Sequence, residues 1–138
     1  MKETITYLNF DGNCGEAMRF YERCFGGELY IMPFSEAPGN FPKEAKERIM
    51  HATVTKDGSA ILMASDTMPG MPFKQGNNFS ICINCESPQE LEILFSAVGE
   101  KGKVTMPLQD TFWGARFGML TDQFGINWMF NFEKPKQQ

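Results

Sequence analysis

One helix in this chain is written twice. Ala17, Phe20, Tyr21 and Cys24 have the i, i+3, i+4, i+7 spacing of a single apolar helix face, and Leu91, Leu94, Phe95 and Val98 repeat it. The same offset carries Thr6 onto Ser80. Both helices have start and stop signals. Asn13 and Glu16 form an N-x-x-E capping box, and Gly26-Gly27 ends that helix. Ser87 is the second cap, with Pro88 at the first helical position, Glu90 closing the box and Gly99 and Gly102 beyond the end. A duplicated element this regular predicts two similar β-α-β-β-β units. Neither is large enough to close a core alone, so the expected fold is an α+β domain: two βαβββ units forming a curved mixed sheet, with helices outside and a concave inner face for a ligand.

The strands follow from short apolar runs between turn signals. Ile5 to Phe10 and Glu28 to Met32 flank the first helix. Ile49 to Thr55 and Ala60 to Ser65 form a hairpin around Lys56-Asp57-Gly58. Phe79 to Asn84, Val104 to Leu108, Phe112 to Leu120 and Ile126 to Phe132 belong to the second unit, with Asp122-Gln123-Phe124-Gly125 as a turn. Pro33 to Glu47 reads as a polar excursion or lid, with a helical turn in Lys43 to Arg48. The expected layout is one domain over 1–138, with unit one at 3–66, a Pro/Gly/Asn-rich linker at 67–78 and unit two at 79–132.

A formal charge of −4 and the lack of a basic run argue against nucleic acid and anionic membranes as partners. No run is long and apolar enough for a membrane span, and no signal-peptide core follows Met1. A complete cytoplasmic protein is expected, with polar residues fraying from Glu133 to Gln138. In that setting Cys14, Cys24, Cys82 and Cys85 are expected to be unpaired. Cys82-Ile-Asn-Cys85 matches C-x-x-C, but residues three apart on a strand face opposite sides and no second pair or nearby His completes a zinc set, so buried cysteines are expected rather than redox or metal chemistry.

Several motifs resemble one family over nearly the whole chain. They are Tyr7-Leu8-Asn9-Phe10-Asp11-Gly12-Asn13, Glu16-Ala17-Met18-Arg19-Phe20-Tyr21, Phe25-Gly26-Gly27, His51-Ala52 and Leu62-Met63-Ala64-Ser65-Asp66. Trp113-Gly114-Ala115-Arg116-Phe117-Gly118 and Asp122-Gln123-Phe124-Gly125-Ile126-Asn127-Trp128 complete the set. The combination resembles the vicinal oxygen chelate superfamily of glyoxalase I, bleomycin-resistance proteins and extradiol dioxygenases, and within it the PhnB-like branch. The chain departs from that branch at Ala115, where an acidic residue is common, and at Gln123, where a proline is. The branch is often labelled as a 3-demethylubiquinone-9 3-methyltransferase, yet no glycine-rich strand-loop-helix for an adenosyl cofactor is present.

The resemblance implies a divalent metal held by His, Glu or Gln on the first and last strand of each unit. Those positions fall on Thr6 and Ser80, on Met129, and on Leu62 or Met63. None suits a hard or borderline divalent ion. The expectation is therefore no metal and no cofactor, and none of the metal-dependent chemistry of the superfamily.

His51 is the single histidine, on a strand face with Thr53 and Thr55. It reads either as an acid, base or donor in the cup or as a hydrogen-bonded structural residue. Arg116 suits an anionic ligand group or an ion pair with Asp122 or Asp110. Trp113 is a pocket candidate, whereas Trp128 sits in an apolar strand and reads as core. Ten methionines suit an adaptable apolar cup, with Met63 and Met129 on its floor. The candidate binding residues are thus Thr6, His51, Met63, Ser80, Trp113, Arg116 and Met129, with no catalytic residue assigned. The favoured function is metal-independent binding of a small apolar or aromatic molecule by a homodimer. The alternatives are a lyase or isomerase using His51 or an atypical metal set, and an interaction or regulatory module.

Overall fold

The structure, a computed structural model, describes residues 1–135. They form two compact units, one spanning Met1–Lys74 and the other beginning at Gln75.

The first unit holds β1 (Tyr7–Phe10), α1 (Cys14–Phe25), β2 (Glu28–Pro33), β3 (Ile49–Lys56) and β4 (Ser59–Asp66). Its sheet has the order β1-β4-β3-β2, with β1 parallel to β4 and the other pairs antiparallel. Alternation along each strand sends Leu8, Phe10, Ala52, Val54, Leu62 and Ala64 to one buried face, and Ala17, Met18, Phe20, Tyr21 and Phe25 are among the buried residues of α1. Gly26 ends α1 in the left-handed region at φ +69°, donating its N–H to the Glu22 carbonyl. The backbone of Gly27 passes so close to the Thr55 carbonyl that a Cβ there would sit 2.5 Å from its oxygen, which only glycine avoids.

The second unit repeats the design with β5 (Ile81–Asn84), α2 (Pro88–Val98), β6 (Lys103–Asp110), β7 (Ala115–Thr121) and β8 (Asn127–Glu133). The sheet order β5-β8-β7-β6, with β5 parallel to β8, is the same topology. Two four-stranded mixed sheets with one helix each give the expected α+β fold, with each hydrogen-bond ladder contained in its own unit. Leu91, Val98, Leu120, Trp128 and Phe130 are buried, and Phe95 meets Phe130 edge to face at 5.3 Å. Trp128 is core, as its strand implied.

The structure corrects several local readings. The Asn13 side chain makes no cap bond. Instead the buried Asp66 carboxylate, at the end of β4, accepts from the Gly12, Cys14 and Ile49 amides. A long-range carboxylate with two oxygens satisfies three donors where the local amide would satisfy one. The second cap forms as read, Ser87 accepting from the Glu90 amide at 3.0 Å and the Glu90 carboxylate from the Glu86 amide at 3.0 Å. β1 starts at Tyr7 and β5 at Ile81, so Thr6 and Ser80 precede their strands. The excursion holds two short 3-10 turns, Phe34–Glu36 and Lys43–Ala45. β7 begins at Ala115, because residues 111–114 form a turn in which the Thr111 hydroxyl accepts from the Ala115 amide.

Candidate functional site

In each unit one sheet face carries the helix and the other does not. On the uncovered face of the first unit, direct register partners form a row across all four strands: Tyr7, Met63, Thr53 and Tyr30. His51 lies on the same face, opposite Met32. The Tyr7 hydroxyl is 3.1 Å from His51 Nδ1, and His51 Nε2 is 2.9 Å from Thr53 Oγ1. A neutral imidazole has one N–H, so one hydroxyl donates to the ring and the other accepts from it. The Tyr7 and His51 rings lie 5.7 Å apart, tilted by 33°. The face therefore mixes aromatic and thioether side chains with polar ones, Asn9 beside Ser65 and Thr55 beside Glu28, and one ordered hydrogen-bond chain runs through His51.

The uncovered face of the second unit carries sulfur. Cys82 pairs with Met129, Met129 with Met119, and Met119 with Met106. Further along, the Asn131 amide donates to Asn84, and the Thr121 hydroxyl to Asn127, at 2.7 Å. A hollow of about 490 Å³ lies in this unit, with Ser80, Thr105, Met119, Thr121 and Asn127 among its walls.

The predicted site residues are distributed as follows. His51 and Met63 share the first face, where Tyr7, Thr53 and Tyr30 join them. Ser80 is exposed on the wall of the hollow, and Met129 sits in the sulfur row. Thr6 continues the alternation of Leu8 and Phe10, which puts it on the helix side, and its carbonyl accepts from the Met63 amide. The offset that matches the two helices thus does not match the two first strands: Leu8 is buried while Cys82 is exposed. Tyr7 is the first-strand residue beside Met63, a neighbour that the offset hid and strict alternation would have found.

Trp113 and Arg116 lie at the β6–β7 connection. Phe112 and Trp113 project there, 98% and 59% exposed, their rings edge to face at 5.0 Å. Arg116 pairs with Glu92 at 3.1 Å and Asp110 at 3.6 Å. Lys134 beside it holds the Asp110 carboxyl below its ordinary range. Asp122 is not its partner: that buried carboxylate accepts from the Phe124 and Ile126 amides and from the Trp128 indole. The Arg116 guanidinium already has two carboxylates, which leaves it poorly placed for an anionic ligand.

None of the four cysteines is in a disulfide, and Cys14 and Cys85 are buried while Cys82 is exposed. Burial pushes the Cys14 thiol up to about 12, the nearby Asp66 charge adding to it, and the Cys85 thiol up to about 11. These thiols are protonated at neutral pH and poor nucleophiles.

Where the fold family implies a divalent ion, the donors do not fit one. The first and last strands of each unit present Tyr7 with Met63 and Cys82 with Met129 on their uncovered faces. Among the described residues no three His, Cys, Asp or Glu side chains come together. Phenol and thioether are poor donors for a hard or borderline ion, and a single thiol falls short of a zinc set.

The chain matches the family described as 3-demethylubiquinone-9 3-methyltransferase over residues 2–130. Protein YjdN of Escherichia coli K12 is 35% identical over 94% of this chain and 95% of its own. The crystal structure of protein PA1353 from Pseudomonas aeruginosa superposes with a TM-score of 0.87 at 44% identity, covering 98% of this chain and 100% of that one. A putative 3-demethylubiquinone-9 3-methyltransferase, PhnB protein, from Bacillus cereus gives 0.73 at 25% identity over 95% and 99%. The fold alone extends to a glyoxylase/bleomycin resistance protein/dioxygenase domain from Frankia sp. EAN1pec, at 0.64 and 13% identity over 99% and 95%. The chain belongs to the family described as 3-demethylubiquinone-9 3-methyltransferase, the description that the Bacillus cereus PhnB protein also carries, and it shares its fold with glyoxalase/bleomycin-resistance/dioxygenase proteins.

Proposed function

We propose that the chain binds a small apolar or aromatic molecule on the uncovered face of its first unit, without a divalent metal. The row of Tyr7, Met63, Thr53 and Tyr30 beside His51 carries this reading. Two phenol rings and flexible thioethers suit a flat apolar ligand, and the His51 chain supplies one directional polar contact. The methyltransferase reading of the family description has no support in the geometry. Neither helix follows a glycine-rich strand-loop of the kind that cradles an adenosyl cofactor. Catalysis by His51 is the weaker reading, because both ring nitrogens are held by neutral hydroxyls. The proposed assembly is a homodimer in the cytoplasm, a setting that cysteines outside disulfides suit.

Thermal-shift and calorimetric titration with 2-naphthol, as a flat uncharged probe, tests the site. Saturable binding should raise the melting temperature, since a ligand at 100 times its Kd adds about 2.7 kcal/mol of stability. Met63→Glu puts a charge into the face and should weaken binding by about tenfold or more, while EDTA should leave it unchanged. Binding that requires a divalent ion, or that survives both Met63→Glu and Tyr7→Ala, overturns the proposal.

A further inference from the structure

We propose that the uncovered face of the second unit is a binding site for monovalent copper, with Cys82, Met129 and Met119 as its ligands. The three residues are successive register partners on β5, β8 and β7, and Met106 on β6 extends the row as the partner of Met119. Direct partners in a sheet have Cβ atoms about 4.5–5.5 Å apart. Methionine carries its sulfur on a flexible unbranched chain, so neighbouring sulfurs in such a row can converge on one ion. Thiolate and thioether are the soft donors that select monovalent copper, while magnesium and calcium want oxygen and zinc sites are built mostly from imidazole, thiolate and carboxylate. The row holds no imidazole and no carboxylate. Its nearest polar neighbours, Asn84 and Asn131, are hydrogen-bonded to each other.

The face is accessible, with Cys82 exposed and Met106, Met119 and Met129 half-buried. Cys85, three residues on, is buried and stays out of the site. Binding replaces the thiol proton: a copper–sulfur bond forms at Cys82, the proton passes to solvent, and copper remains monovalent with no electron transferred.

The full chain is titrated anaerobically with monovalent copper buffered by bicinchoninate. The expected result is one copper per chain and an X-ray absorption shell made only of sulfur. Cys82→Ser should weaken binding by about 100-fold or more, beyond the usual cost of losing a second-shell partner. Met119→Leu and Met129→Leu should each weaken it by about tenfold, while Met71→Leu, in the exposed 70–74 segment, leaves it unchanged. Cys82→Met keeps a soft donor, and it should retain copper. Failure to compete with bicinchoninate, retention of full affinity in Cys82→Ser, nitrogen or oxygen in the shell, or displacement by equimolar zinc each overturns the proposal. None of these readouts depends on 2-naphthol binding in the first unit.

Discussion

Two buried aspartates hold much of the architecture at the scale of single residues. Asp66 is 5% exposed and ties the start of α1 to the start of β3 through three backbone amides. Asp122 does the corresponding work in the β7–β8 turn, accepting two amides and the Trp128 indole. Removing a buried acceptor leaves each donor unsatisfied at about 1–3 kcal/mol. Asp66→Ala should therefore lower the unfolding free energy by about 3 kcal/mol or more in urea titration. Asp66→Asn should also destabilise, because its amide would face the Ile49 N–H with a second donor. A urea midpoint for Asp66→Asn equal to the parent would show that the carboxylate is not needed. In the sequence Asp66 is one acid in a strand-like run. Nothing local shows that it is buried, since its three donors come from positions 12, 14 and 49.

At the scale of elements, the two helices separate what is local from what is not. Ser87 caps α2 through its own side chain, so Ser87→Ala should cost about 1 kcal/mol. Asn13 stands at the matching place before α1 but makes no cap bond, so Asn13→Ala should change stability by no more than about 0.5 kcal/mol. Urea unfolding of the two variants side by side checks the contrast, and equal losses would contradict it. Both helices, their glycine stops and most strands were legible, because a 3.6-residue period and a turn signal are local properties. Strand phase was not. A slip of one residue turns every side chain of a strand to the other face, and that slip separates Thr6 from Tyr7. The Phe112–Trp113 run was read as strand for a related reason: two aromatics favour a strand, but the Thr111 hydroxyl and Gly114 at φ +87° close a turn there.

At the scale of the whole molecule, a number of large apolar side chains remain exposed in the single chain. Ile93 on α2 is 66% exposed and Tyr30 on β2 54%, alongside Phe79, Phe112 and Trp113. Exposed apolar side chains such as these are available to a partner, and the proposed homodimer would cover some of them. Sedimentation equilibrium should accordingly give the mass of two chains, and a monomer at micromolar concentration would remove the proposed homodimer.

The sequence by itself determined the duplicated βαβββ units, the limits of both helices, the second cap and the family. Each of these rests on spacing within a few residues or on a motif read in order. Only the tertiary structure decided which side chains share a face. The Tyr7–His51–Thr53 chain joins two strands, the sulfur row joins four, and Asp66 reaches residues far away in the chain. Such neighbours are set by cross-strand register, a non-local property that hydrophobic periodicity constrains to one face or the other but does not assign residue by residue.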